Sequence, residues 1–486
     1  MKIFRKLKSE PQLLVHLLIG AAVVSMIAFY SSDMAMFGGT YSRNMVSSET
    51  GLPDDWDADT NMNIKWMQPL GSQSYAGPVV FDGKVFMGTN NEGVRNPKYT
   101  GDKGNVMAFV AETGEFLWQS VHDKLSAGRV NDWPLQGVCS TPFIEGDRMW
   151  YLSNRAEVVC LDINGFYDDE NDGPMTDEAN KGKTDADFIW SYDMIEELDV
   201  FPHNLATSSP LVAEDLVFIV TGNGVDEGHV LIPSPDAPSF IAVNKNTGEL
   251  VWESALPGEN ILHGQWANPT YGVIDGRAQV IFPGGDGWLY SFAPKTGELL
   301  WKFDCNPKES VWELGGLGTR NNLIGTAVIW DDKVYIGVGQ DPEHGESTGH
   351  LYAIDASGSG DVTDTHVVWR REGEDYNRTI STVAIDDGIL YAADLSGFLY
   401  CLDAKTGEHY WTYDTFAAVW GSPFVADGKV YLGDEDGDIV ILKAGKTKEV
   451  LKEVNMGSAV YTTPVAKDGV LYVGARNRLF AIEKKS

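Results

Sequence analysis

Hydrophobic and polar positions along this chain follow two regimes. From Leu13 to Tyr30 the residues are apolar except for His16, Gly20 and Ser25. Eighteen residues at a helical rise of about 1.5 Å span roughly 27 Å, close to the hydrocarbon thickness of a bilayer, so this run predicts a transmembrane helix. Past residue 62 the pattern breaks into short apolar and aromatic strands separated by Asp-Gly and Thr-Gly pairs, which are hairpin signals.

Aligning the chain with itself reveals a repeating unit. A small residue, often followed by Pro, leads into an apolar strand, an Asp-Gly turn, an aromatic-rich strand and a loop. A third apolar strand, Thr-Gly-Glu and a fourth strand ending in Trp complete it. Four copies keep the ending almost unchanged: Ala111–Trp118, Lys245–Trp252, Pro294–Trp301 and Ala404–Trp411. Degenerate copies end at Trp190 and Trp369, and a seventh runs from Gly421 to Leu442 without a terminal Trp. Pro78, Pro142, Pro210, Pro269, Pro423 and Pro464 stand at the start of first strands, where a missing N–H breaks no ladder bond. Each Trp has the size to seal one unit against the next, which reads as core.

The eighth copy, Thr463 to Ile482, has three strands, and Asn63–Trp66 looks like the last strand of a unit lacking its first three. Ends that complement each other close a ring. The shortest Trp-to-Trp spacings, 42 and 49 residues, match four-stranded propeller blades. The expected fold is therefore all-β: an eight-bladed β-propeller over residues 63–486, its last blade closed by an N-terminal strand. Residues 1–11 are expected as a basic cytoplasmic tail, 12–30 as the transmembrane helix and 31–62 as a linker.

The basic residues Lys2, Arg5, Lys6 and Lys8 flank the apolar run and keep that end cytoplasmic, which puts the propeller in the periplasm of a bacterial inner-membrane protein. Cleavage as a signal peptide is the alternative; the small-residue site around Ala28 to Ser32 is weak. The net charge of −33 leaves no cationic excess for nucleic acid or anionic lipid. Cys139, Cys160, Cys305 and Cys401 form no Cys-x-x-Cys motif. Cys139 and Cys160, two strands apart in one blade, are expected to be reduced and buried.

The Ala-Lys-Thr-Gly-Glu-x-x-Trp ending with its upstream Leu399–Asp403 resembles the pyrroloquinoline-quinone-like repeat of quinoprotein dehydrogenases and of the outer-membrane assembly factor BamB. The segments Phe37–Pro53, Phe201–Asn204, Thr221–His229, Phe282–Trp288 and Gly339–Glu346 are similar to a group of membrane-anchored, chiefly planctomycetal, quinoprotein-like propellers. The resemblance implies a role in envelope or outer-membrane protein biogenesis, or a dehydrogenase using pyrroloquinoline quinone with calcium. For the dehydrogenase, Thr221-Gly222-Asn223 matches the motif that supplies a calcium ligand, so Asn223 carries over. The catalytic Asp does not, since Trp266-Ala267-Asn268 stands in its place, and the adjacent cysteine pair is missing. The favoured reading is a scaffold rather than an enzyme, without assigned catalytic residues.

In such blades the second-to-third loops and the inter-blade connections emerge on one face, where nearly all extra length falls: 90–103, 119–136, 191–206, 223–238, 253–266, 302–324 and 340–349. Function is expected there. The candidate ligand-binding residues are Asn223, Glu227, His229, His263, Arg320, Asn322, Asp341 and His344, with His203, His350, Asn321, Glu343 and Glu346 nearby. The spacing of Asp341, Glu343, His344 and Glu346 fits no metal-ligand signature, so no metal is assigned. Asp168–Gly173 imitates the start of a calcium loop but has Ala179 where the bidentate Glu belongs, and reads as solvated. The expected partner is an envelope protein or a small ligand on the elaborated face.

Overall fold

The computed structural model describes residues 34–340 and 348–485. The segments expected as a basic tail and a transmembrane helix, and the candidates Asp341, Glu343, His344 and Glu346, lie outside the described residues. Among the described residues, no helix is long and apolar enough to cross a membrane.

Among the described residues eight sheets make the ring, each built on four antiparallel strands that follow chain order in blades one to seven, with Gly360–Asp361 added in parallel to the edge of blade four. Blade one runs Val79–Phe81, Lys84–Asn90, Lys103–Val110 and Phe116–Asp123. Blade three runs Leu211–Ala213, Leu216–Val220, Phe240–Asn244 and Leu250–Ser254. Blade eight has three strands from the C-terminus, Val465–Lys467, Val470–Ala475 and Arg478–Glu483, and takes its fourth, Ile64–Pro69, from the N-terminus. Ile64 pairs with Ile482 and Pro69 with Arg478, so the ring closes as the complementary ends predict.

The repeated ending acts between blades. The indole N–H of Trp66 donates to the Ala111 carbonyl of blade one at 2.8 Å, Trp190 to Lys245 at 3.2 Å, Trp252 to Pro294 at 2.7 Å and Trp369 to Ala404 at 2.8 Å. In each case the acceptor lies just before the Thr-Gly turn of the following blade. A Cβ on that glycine would enter the ring: at Gly248, with φ +74°, it would lie 2.6 Å from Trp190. Gly is therefore required twice, for its backbone conformation and for the space above it. Burying such a Trp is worth at most about 4 to 6 kcal/mol.

Around the axis, the residue one before each inner strand's first proline position forms a hydrogen-bonded belt. Gly77 N–H donates to Thr141 Oγ1, Thr141 to Ser209 Oγ and Ser209 to Asn268 Oδ1. Asn268 Nδ2 donates to Thr326 Oγ1, Thr326 N–H to Thr382 Oγ1, Thr382 to Ser422 Oγ and Ser422 to Thr463 Oγ1. The belt runs through all eight blades and stops where Gly77 offers no side chain to blade eight.

Within the expected linker 31–62, residues 34–56 are instead bedded in the ring. Met34 bridges to Val80 of blade one, and the Ala35 carbonyl accepts from Ile144 of blade two. Tyr41 and Ser42 carbonyls accept from Tyr271 of blade four and Ile329 of blade five. Asn44 exchanges two bonds with Ile385 of blade six, Met45 accepts from Val425 of blade seven, and Glu49 accepts from Gly469 of blade eight. Arg43 is fully buried. Its guanidinium donates to the carbonyls of Phe37, Ser209, Pro210 and Pro269, tying the segment to blades three and four, and burial pushes its pKa down to about 9. The physical reason is that inner strands carry free edges along the axis, and a short chain can saturate them.

Candidate functional site

Above this N-terminal plug lies an axial cup of about 470 Å³. Its floor includes Met34, Met36, Phe37 and Met45, and its wall is drawn from every blade. The residue three before each inner-strand proline position forms a ring: Tyr75, Cys139, Thr207, Trp266, Ile324, Ile380, Trp420 and Tyr461. Tyr75 stacks on Tyr461 at 5.0 Å between ring centroids, and Trp420 meets Tyr461 edge-on at 5.4 Å. Trp133 reaches in from the blade one to two connection. Cys139, expected to be buried, is only half-buried because it sits on this wall; Cys160 is buried, and both are free thiols.

Among the described residues, no lysine, arginine, aspartate or glutamate lines the cup. Pyrroloquinoline quinone carries three carboxylates and in its enzymes shares a calcium ion, so this cup supplies neither the cations nor the anionic ligands that would hold the pair, and stranding those charges would be costly. Asn268, at the position of the missing catalytic Asp, is committed to the belt through both ends of its amide. Asn223 is likewise engaged: Oδ1 accepts from Phe201 N–H at 3.0 Å and Nδ2 donates to the Ser234 carbonyl at 2.8 Å. The described residues of the cup do not fit this cofactor.

Arg320 forms a two-pronged ion pair with Asp304 and donates through Nε to the Asp286 carbonyl, so it braces the 302–324 connection. Asn322 is buried and donates to the Gly264 carbonyl. Glu227 is exposed. His350 is buried on blade five, 3.9 Å from Glu372, and burial lowers its pKa to about 4. Asp168–Gly173 lies at the surface.

Three histidines do converge. His203, His229 and His263 come from three separate segments, and one ring nitrogen of each lies within 4.8 Å of the others. The short helix Met194–Leu198, capped by Asp193 and ended by Asp199 in the left-handed region, turns the chain toward His203. His229 sits at φ 54° in the 223–238 loop, and Gly315 packs so closely that its own Cβ would lie 2.6 Å from that of His229. Trp266, whose indole donates to the His203 carbonyl, separates the cluster from the cup.

Large apolar side chains stand exposed on the same elaborated loops: Val230 and Leu231 beside His229, Leu256 on the blade three to four connection, and Val311, Trp312 and Leu317 on the next. Trp312 donates to the Asn260 carbonyl, joining the last two connections. Reading the sequence for His and carboxylates missed the aromatic ring of the cup. Its signal was present as aromatics at one fixed offset before the inner strands.

Comparison with known proteins places these features. The family described as outer membrane protein assembly factor BamB matches residues 189–360 and 347–486. BamB of Yersinia pestis is 23% identical over 298 residues, 61% of this chain and 65% of that protein. The quinohemoprotein alcohol dehydrogenase of Comamonas testosteroni is 26% identical over 151 residues, 26% of this chain and 20% of that protein. Each alignment thus spans less than two thirds of the relative. The crystal structure of the Comamonas enzyme superposes with a TM-score of 0.62 at 13% identity, covering 94% of this chain and 81% of that one, which is agreement in fold. With more than half of its length matched, the chain belongs to the family of the outer membrane protein assembly factor BamB.

Proposed function

We propose that this protein is a binding scaffold of the bacterial envelope, tethered by its N-terminal apolar helix with the propeller in the periplasm, and that its elaborated face holds a protein partner presenting apolar side chains. The observation that carries this reading is the concentration of exposed Val230, Leu231, Leu256, Val311, Trp312 and Leu317 on adjoining loops of one face. Exposed apolar groups gathered on adjoining loops suit an interaction surface. The uncharged aromatic cup beside them suits an apolar anchor from the same partner. Membership of a family described as an outer-membrane assembly factor supports a role in outer-membrane protein biogenesis.

The test is photocrosslinking in cells, with the reactive residue placed at Val230 or Leu317 and, for comparison, at Asp275 or Asp427 in tight turns of the opposite face. The expected outcome is a discrete adduct with an envelope protein from the first pair alone. Adducts equal from both faces, or from neither, would count against the proposal.

A further inference from the structure

We infer that His203, His229 and His263 bind one divalent transition-metal ion of the zinc class. Among the described residues three imidazoles make the cluster, and imidazole donors suit zinc, copper, nickel or iron rather than calcium or magnesium. Ligands about 2.0 to 2.1 Å from a tetrahedral ion stand about 3.3 Å apart. His229 Nε2 and His263 Nε2 are already 3.2 Å apart, and the third ring nitrogen lies within 4.8 Å. The ring centroids of His203 are 4.3 Å from His263 and 5.0 Å from His229, so a small rotation of His229, the half-buried member, completes the triangle.

The surroundings fix the tautomer that a metal needs. His203 Nδ1–H donates to the Val225 carbonyl at 2.7 Å; a carbonyl only accepts, so the Nε2 lone pair of the neutral ring points away from that bond. Such a carbonyl behind an imidazole is the usual orienting partner of a metal-bound histidine. The backbone is held as firmly: Val225 N–H donates to the His263 carbonyl, and Gly224 packs where a Cβ would lie 2.6 Å from that of His203. His203 and His263 are buried, and His229 is the half-buried member through which the cluster meets solvent. A net charge of −33 raises the local concentration of cations. The bound ion would clamp the connection entering blade three, the 223–238 loop and the connection leaving it, next to Val230 and Leu231. This site stands apart from the partner-binding proposal, because its readout is the ion alone.

The experiment uses the full chain in detergent, stripped with chelator and titrated with Co²⁺. One equivalent should give the visible absorption of four-coordinate cobalt, displaced by Zn²⁺. His229→Gln, at the half-buried position, removes one of the three imidazoles and should lose the one-equivalent four-coordinate cobalt spectrum, with a cooperative unfolding transition retained in the metal-free state. His409→Gln, removing an exposed histidine of blade six, should change neither. Absence of saturable binding in the parent, or the same cobalt spectrum and affinity in the His229→Gln variant, would overturn the assignment.

Discussion

Blades six and seven differ from blade three in how the second strand reaches the third. In blade six four residues, Asp394–Gly397, suffice: Asp394 Oδ1 accepts from the N–H groups of Ser396 and Phe398, and Oδ2 from the Tyr400 hydroxyl. Blade seven repeats the device with Asp434 and Asp438 N–H. Blade three spends residues 221–239 on the same connection: Thr221 stands where the turn carboxylate does and its Oγ1 accepts from Asn223 N–H, while Asn223 itself accepts from one backbone group and donates to another. A buried polar residue in a long loop is thus first a substitute for the hydrogen bonds that a tight turn makes by itself. The histidines beyond it are what the added length brings.

Substitutions can break this contrast. The largest effect is expected at the tight-turn end of blade three, where Gly248→Ala combines a left-handed backbone with a Cβ 2.6 Å from Trp190. Urea unfolding should show a loss of about 3 kcal/mol. Next, Asn223→Asp replaces the amide donor facing the Ser234 carbonyl with oxygen. A loss of about 2 kcal/mol is expected, and added calcium should not restore the unfolding midpoint, whereas a calcium ligand would gain from the change.

Asp434 tests the minimal turn. Burial is the main cause that raises its pKa to about 6, with the Asp438 and Asp436 charges adding to it. Folded Asp434 therefore holds its proton more tightly than the unfolded chain does. Its contribution is fully present below about pH 4 and is lost as pH rises through 6. Asp434→Asn keeps an acceptor for Asp438 N–H and should lose less stability than the parent between pH 5 and pH 7, measured by urea midpoints at both. The smallest effect on stability is expected at Leu317→Asp, within about 0.5 kcal/mol, although the adduct formed from Val230 should disappear.

The ring itself was legible because its signals are local and repeated: Thr-Gly-Glu with Trp at a fixed offset, proline at strand starts, and Asn63–Trp66 as an orphan fourth strand. Residues 34–49 gave no such signal. They lack periodicity, and their partners lie on inner strands hundreds of residues away, as with Asn44 and Ile385. The loops carrying His203, His229 and His263 could be named from their length, but their meeting depends on positive φ at His229 and close packing at Gly224 and Gly315. Asn223 shows the reverse case, a residue whose motif pointed to a ligand and whose geometry assigns it to the loop.

The closure of blade eight also sets the order of assembly. Asn63 and Lys485, bonded in the finished ring, are 422 residues apart, and the plug before Asn63 has contacts in every blade. The segment before Asn63 thus waits for strands more than 400 residues later before either is satisfied. So high a contact order implies slow closure, during which the edges of blades one and eight stay open to capture by other strands.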